Sequence, residues 1–217
     1  MTATLARRGV VAALLVLGAA ALQPVVTSGG FAQAGFDGSP WVQQANATLN
    51  GMQAVNGQFV QIGPNGERSE GDFYLRRPGL LRFEYAPPAE IEVISNGRWV
   101  AIQDHKLRTT QRYPLSSTPL SVILAEQVDL TRDARVLDVY EAGSFVTITL
   151  ESRASDATGN VVLMFDTQTR ALLQWTVTDA QGLETSVAIN NVQVGVPNDP
   201  ALFRINDYID VDEYNTR

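Results

Sequence analysis

The chain has 217 residues, with 16 Lys and Arg against 23 Asp and Glu, one His and no Cys. Without cysteine there are no disulfide frameworks, thiolate nucleophiles, iron–sulfur clusters, Cys-ligated zinc or lipid-modified N-terminal cysteine, and one His excludes a multi-His metal site. At 45 % hydrophobic and 18 % charged, with a net charge of −7, the composition is that of a globular chain with one core and no basic stripe for nucleic-acid phosphates.

Arg7 and Arg8 precede an uncharged run from Gly9 to Leu22, rich in Ala, Val and Leu. The run is too short to cross about 30 Å of hydrocarbon as a helix, and Pro24 with a Gly/Ser stretch follows it. Residues 1–34 therefore read as a cleaved secretory signal peptide, with Ala32-Gln33-Ala34 as the small-x-small site and the cut before Gly35. Residues 35–217 read as a single domain, which is more acidic once the two leader arginines are gone.

Ser39-Pro40 opens a helix expected over 39–55, a hydroxyl cap followed by proline at the first helical position. Val42, Ala45, Leu49 and Met52 recur at helical spacing, and Asn56-Gly57 marks the expected end. From Phe59 onward the period is two. Strands are expected at 57–62, 70–77, 80–86, 90–95, 98–104, 106–113, 134–141, 144–151, 160–166, 171–179 and 184–194, with Asn96-Gly97 the clearest hairpin signal.

Leu81, Phe83 and Tyr85 alternate with Arg82 and Glu84, and Val146, Ile148 and Leu150 alternate with Thr147 and Thr149. One face is thus dry and the other wet. About eleven consecutive one-sided strands predict a mainly β fold, a strongly curved antiparallel sheet or barrel with helices covering its concave face. The 39–55 helix and Thr118–Ala125 are the candidate covers.

Little chemistry stands out along the chain. His105 beside Asp104 reads as a solvated hairpin residue, because no G-x-S-x-G elbow accompanies it. Glu84, Glu90 and Glu92 alternate on strands as a wet face does, rather than as a glycosidase pair. No nucleotide, phosphate or calcium motif is present, so neither cofactor nor metal is expected. Trp41, Trp99 and Trp175 read as core or cavity wall.

The most distinctive passage is Leu75-Arg76-Arg77-Pro78-Gly79-Leu80-Leu81-Arg82-Phe83-Glu84-Tyr85. It resembles the R-P-x-x-[FL]-R-[FW]-x-Y signature of the LolA family of periplasmic lipoprotein carriers. Leu49, Phe59-x-Gln61, Ser95-Asn96-Gly97-Arg98, Thr118-Pro119, Asp179-x-x-Gly182 with Thr185, and Phe203 match other family positions in order, over roughly 39–205. Two departures stand out. Ala101 and Gln103 replace the usual Trp and Tyr, which implies a shallower cavity wall there, and Leu81 stands where the family often has phenylalanine.

The resemblance implies an unclosed half-barrel of about eleven strands, covered by short helices. Phe73, Leu75, Leu81, Phe83, Tyr85, Leu120 and Ile123 would line its apolar cavity. Arg77 would reach backbone carbonyls of the covering helices near Leu49 and Ile123 and latch them shut. It further implies a periplasmic monomer that takes lipoprotein acyl chains from an inner-membrane lipoprotein-releasing transporter and passes them to an outer-membrane lipoprotein acceptor. Two other functions are compatible with the residues: a lipid- or lipoprotein-sensing regulator of related fold, and a secreted hydrolase using Glu or Asp.

Overall fold

In the computed structural model the described residues are 36–153, 159–179, 181–206 and 208–210. The expected leader and the cut before Gly35 lie outside them. A 3₁₀ turn at Phe36–Gly38 leads into helix α1, Pro40–Gly51, where the Ser39 hydroxyl accepts from Trp41 N. Val42, Ala45 and Leu49 form its buried stripe. The helix ends earlier than expected. Strand pairing of Ala54 with Arg76 and Val55 with Leu75 is already under way when the chain reaches Asn56-Gly57, which sit inside the first strand.

The strands are β1 (Ala54–Ile62), β2 (Arg68–Arg76), β3 (Leu80–Tyr85), β4 (Ile91–Asn96), β5 (Trp99–Asp104) and β6 (Thr109–Pro114). The short helices α2 (Leu120–Ile123) and α3 (Leu130–Asp133) follow. Then come β7 (Ala134–Ala142), β8 (Phe145–Ser152), β9 (Asn160–Asp166), β10 (Leu172–Thr178), β11 (Glu184–Val194) and β12 (Ile209–Asp210). Residues 106–108, expected as the start of β6, belong instead to the turn after β5, where Asp104 Oδ1 accepts from Leu107 N at 2.7 Å.

Among the described residues all twelve strands form one sheet, ordered β12-β6-β5-β4-β3-β2-β1-β11-β10-β9-β8-β7. Two antiparallel meanders, β1 to β6 and β7 to β11, meet where β1 pairs with β11. The terminal strands β12 and β7 do not pair with each other, so the sheet is an unclosed half-barrel. The two-residue β12, unexpected from the alternation, runs parallel to β6.

Side chains on one face of every long strand meet in a single core, from Phe59, Phe73 and Phe83 to Ile148, Leu163 and Trp175. The residues Leu120, Val122, Ile123 and Leu124 join it from above, alongside the α1 stripe. Each such buried aliphatic side chain contributes about 1.5–3 kcal/mol relative to exposure, so the covering helices are held chiefly by the face they hide.

The opposite face is less wet than its alternation implies. Residues 200–206 and Tyr208 lie across β3–β6: Phe203 is buried, Leu202 O accepts from Arg82 Nη1 at 3.3 Å, and Asn206 O accepts from Gln103 Nε2 at 3.1 Å. Glu92 is buried against Arg82. His105 is half-buried rather than solvated, with Nε2 3.0 Å from Glu92 and Nδ1 2.9 Å from the Tyr208 hydroxyl. Ala101 and Gln103 also face this outer side, because Val100 and Ile102 take the core positions of β5. Their departure from the family pattern therefore falls on the outer face, where Gln103 holds Asn206, and not on the cavity wall.

Candidate functional site

Arg77, Pro78 and Gly79 turn the chain from β2 into β3. Gly79 has φ +73°, and a Cβ there would stand 2.6 Å from Gly97 Cα, so only glycine fits. The Gly79 carbonyl accepts from Ser95 Oγ at 2.6 Å, and its N–H donates to Leu124 O at 2.9 Å. Between these anchors the Arg77 side chain runs inward, buried. Its Nε donates to Met52 O at 3.1 Å and its Nη1 to Ala125 O at 2.7 Å.

One guanidinium thus clasps the end of α1 to the end of α2, a task its several donors suit. Burial lowers its pKa to about 10, which leaves it charged at neutral pH. Met52 is the cap residue of α1, whose carbonyl has no intrahelical partner, and Ala125 lies one residue past the cap of α2.

Beneath the clasp lies an apolar cavity. Leu49 and Met52 from the α1 end, Leu120, Ile123 and Leu124 from the α2 region, and Phe73, Leu75, Leu81, Leu172, Trp175 and Ile189 from the sheet line it together with Arg77. Its volume is about 20 Å³, whereas sites that enclose small molecules run to about 300–1,000 Å³. Side chains fill the interior. A larger groove of about 680 Å³, bordered by Asn56, Gln58, Asp72 and Tyr74, is polar and open to solvent.

Of the residues singled out in the sequence, Phe73, Leu75, Leu81, Leu120, Ile123, Leu49 and Arg77 converge on this cavity. Phe83 and Tyr85 share its face without lining it. Phe83 lies a layer away, its ring 4.8 Å from Phe59 and 6.0 Å from both Phe73 and Trp175. Tyr85 sits further from the clasp, edge-on to Phe59, and donates to Gln61 Oε1 at 2.8 Å, while burial pushes its phenol pKa up. Leu172 and Ile189 carry no signal beyond ordinary strand hydrophobicity. A register shift between Leu172 and Gln174 breaks the alternation there.

An open β half-barrel, capped by helices over an apolar cavity and clasped by one buried arginine, defines the class: a β-sheet protein whose helical cover must shift before anything can enter. The profile of the outer membrane lipoprotein carrier protein LolA matches residues 50–206, and the chain belongs to the LolA family. It is 25 % identical over 169 residues to an outer-membrane lipoprotein carrier protein of Chromobacterium violaceum, covering 75 % of this chain and 81 % of that one. To the outer-membrane lipoprotein carrier protein of Pseudomonas paraeruginosa it is 27 % identical over 157 residues, with 68 % and 72 % covered. A solved structure of a DUF1329 family protein from Desulfovibrio piger shares the fold, with TM-score 0.50 at 10 % identity, covering 76 % of this chain and 95 % of that one.

Proposed function

We propose that this chain is a periplasmic, non-enzymatic carrier that buries lipoprotein acyl chains beneath α1 and α2. It receives them from an inner-membrane releasing transporter and delivers them to an outer-membrane acceptor. The observation that carries the reading is the collapsed apolar cavity under a polar clasp. Exposing an acyl chain to water costs about 0.8 kcal/mol per CH₂, tens of kcal/mol for a multi-chain anchor, so transit through water needs an escort. The escort must also let go. A cavity that refills with its own side chains when Arg77 re-engages Met52 and Ala125 supplies a driving force for release.

Among the described residues no helix is long and apolar enough to cross a membrane. His105 and Glu92 lie on the outer face, bonded to the C-terminal segment and Arg82 rather than directed into a cleft.

The test is purification of the chain from the envelope of a cell that makes it, followed by mass spectrometry of what travels with it. Triacylated peptides are expected. An empty preparation that turns over substrate with a bell-shaped pH profile would overturn the carrier reading.

A further inference from the structure

The two covering pieces are not fastened to the sheet alike. Helix α1 is tied along its length to the β7–β10 half of the fold by bonds that do not involve Arg77. Trp41 Nε1 donates to Glu141 Oε2 on β7 at 2.8 Å, and the Arg170 guanidinium stands 4.2 Å over the Trp41 ring. The Thr48 hydroxyl donates to Arg170 O at 3.0 Å, in the turn between β9 and β10.

One turn apart on the same helix side, Asn46 and Asn50 grip the segment entering α3. Asn46 Oδ1 accepts from Leu130 N at 2.9 Å. Asn50 does both jobs of an amide, accepting from Val128 N at 2.8 Å and donating to Val128 O at 2.9 Å. From Leu130 the chain runs through α3 straight into β7.

Segment 118–125 is held differently. Among the described residues its hydrogen bonds beyond the local turn starting at Leu115 are the two made by the β2–β3 corner, Gly79 N to Leu124 O and Arg77 Nη1 to Ala125 O. Exposed Glu126 then separates it from the pinned stretch, where Gln127 O accepts from Arg132 Nη2 at 3.0 Å and Val128 N donates to Asn50.

We infer that Asn46 and Asn50 are positioning residues that keep α1 as a fixed wall of the cavity, and that 118–125 alone is the gate. Breaking the Arg77 contacts leaves α2 tied at its far end only by the Gly79 N–H to Leu124 O bond, whereas α1 keeps every amide, hydroxyl and indole bond to the β7 side. Acyl chains therefore enter between α2 and the β2–β3 corner, and the chain at Glu126 is the hinge. This inference rests on the carrier reading and specifies which of its parts moves.

The chain has no cysteine, so introduced thiols can be labelled without background. Two spin-labelled pairs decide the matter, Ala47→Cys with Thr149→Cys, and Ser121→Cys with Thr149→Cys, measured empty and with a synthetic tripalmitoylated cysteinyl peptide whose binding is followed separately. On loading, the 121–149 distance is expected to lengthen beyond its width in the empty protein while the 47–149 distance stays unchanged. In Arg77→Leu, without ligand, the 121–149 distribution should broaden alone. In Asn50→Leu, loading should persist while the 47–149 distance becomes variable. Peptide binding with equal displacement of both pairs would overturn the inference and leave the carrier reading standing. No peptide binding by any variant, the unlabelled parent included, would overturn both.

Discussion

The Arg77 guanidinium donates to the carbonyl of Ala125 at 2.7 Å, across 48 positions of chain, and the same side chain holds Met52 O at 3.1 Å. Hydrogen bonds from a charged donor contribute about 1.5–3 kcal/mol. Replacing Arg77 with Leu should therefore raise the open-to-closed ratio about 10- to 150-fold. Loading survives, retention lengthens and transfer to an acceptor slows. Arg76 is exposed on β2, so Arg76→Leu is the matched control. Timed transfer of one lipoprotein from wild type and both variants checks this; equal rates in all three would reduce Arg77 to a structural residue.

Ile123 is buried in the gate against Leu49 and the sheet. An aspartate there places an unpaired charge on an apolar surface, at a cost of several kcal/mol unless the gate opens to hydrate it. Ile123→Asp should thus bind a hydrophobic dye more readily in the empty state and lose acyl-chain affinity. Unchanged dye binding would argue that α2 does not cover the cavity.

The clasp should be insensitive to pH through the neutral range. Burial lowers the Arg77 pKa to about 10, so the group is charged in folded and unfolded chains alike well above neutrality. A stability contribution that rises with pH begins only near that value, where the folded state sheds its proton first. Asp129 is shifted in the same sense, but its effect falls at acid pH. Its carboxylate accepts from the Thr131 hydroxyl and from Thr131 N and Arg132 N, which holds its pKa below the usual range. The stability it contributes to the start of α3 is present above the ordinary carboxylate pKa and is lost as pH falls through the lowered value. Transfer rates of wild type across the neutral range should be flat, and Asp129→Ala should lower stability by about 1 kcal/mol at neutral pH, with a smaller difference in acid. Thermal melts of the two proteins at both pH values measure it.

Residues 1–34 should be absent from the mature protein, which should begin at Gly35 and fractionate with soluble periplasmic contents. Intact-mass measurement decides; a retained leader would reject the assignment.

Alternation alone was enough to read the long strands and their dry face, because a period of two places Leu81 and Phe83, or Ile148 and Leu150, on one side whatever their partners are. The start of α1 was legible for a similar reason: Ser39-Pro40 acts within one turn. Its end was not, since Asn56-Gly57 looks like a local stop and yields to the ladder with β2, a contact formed with residues some twenty positions on. The outer face was misread on the same grounds. Nothing near Gln103 or His105 announces that Asn206 and Tyr208 will cover them.

Arg77 by itself is a charge beside a proline, and family resemblance, not local pattern, marked it as a latch. Only the folded chain brings Met52 and Ala125 within reach of one guanidinium and sets Asn46 and Asn50 against Val128 and Leu130. Periodicity is a property of neighbours along the chain, so the sequence by itself determined the strands, their inward face and the candidate cover. Which carbonyls are clasped, which helix is pinned and how much space is left inside depend on long-range packing, and the tertiary structure alone decided them.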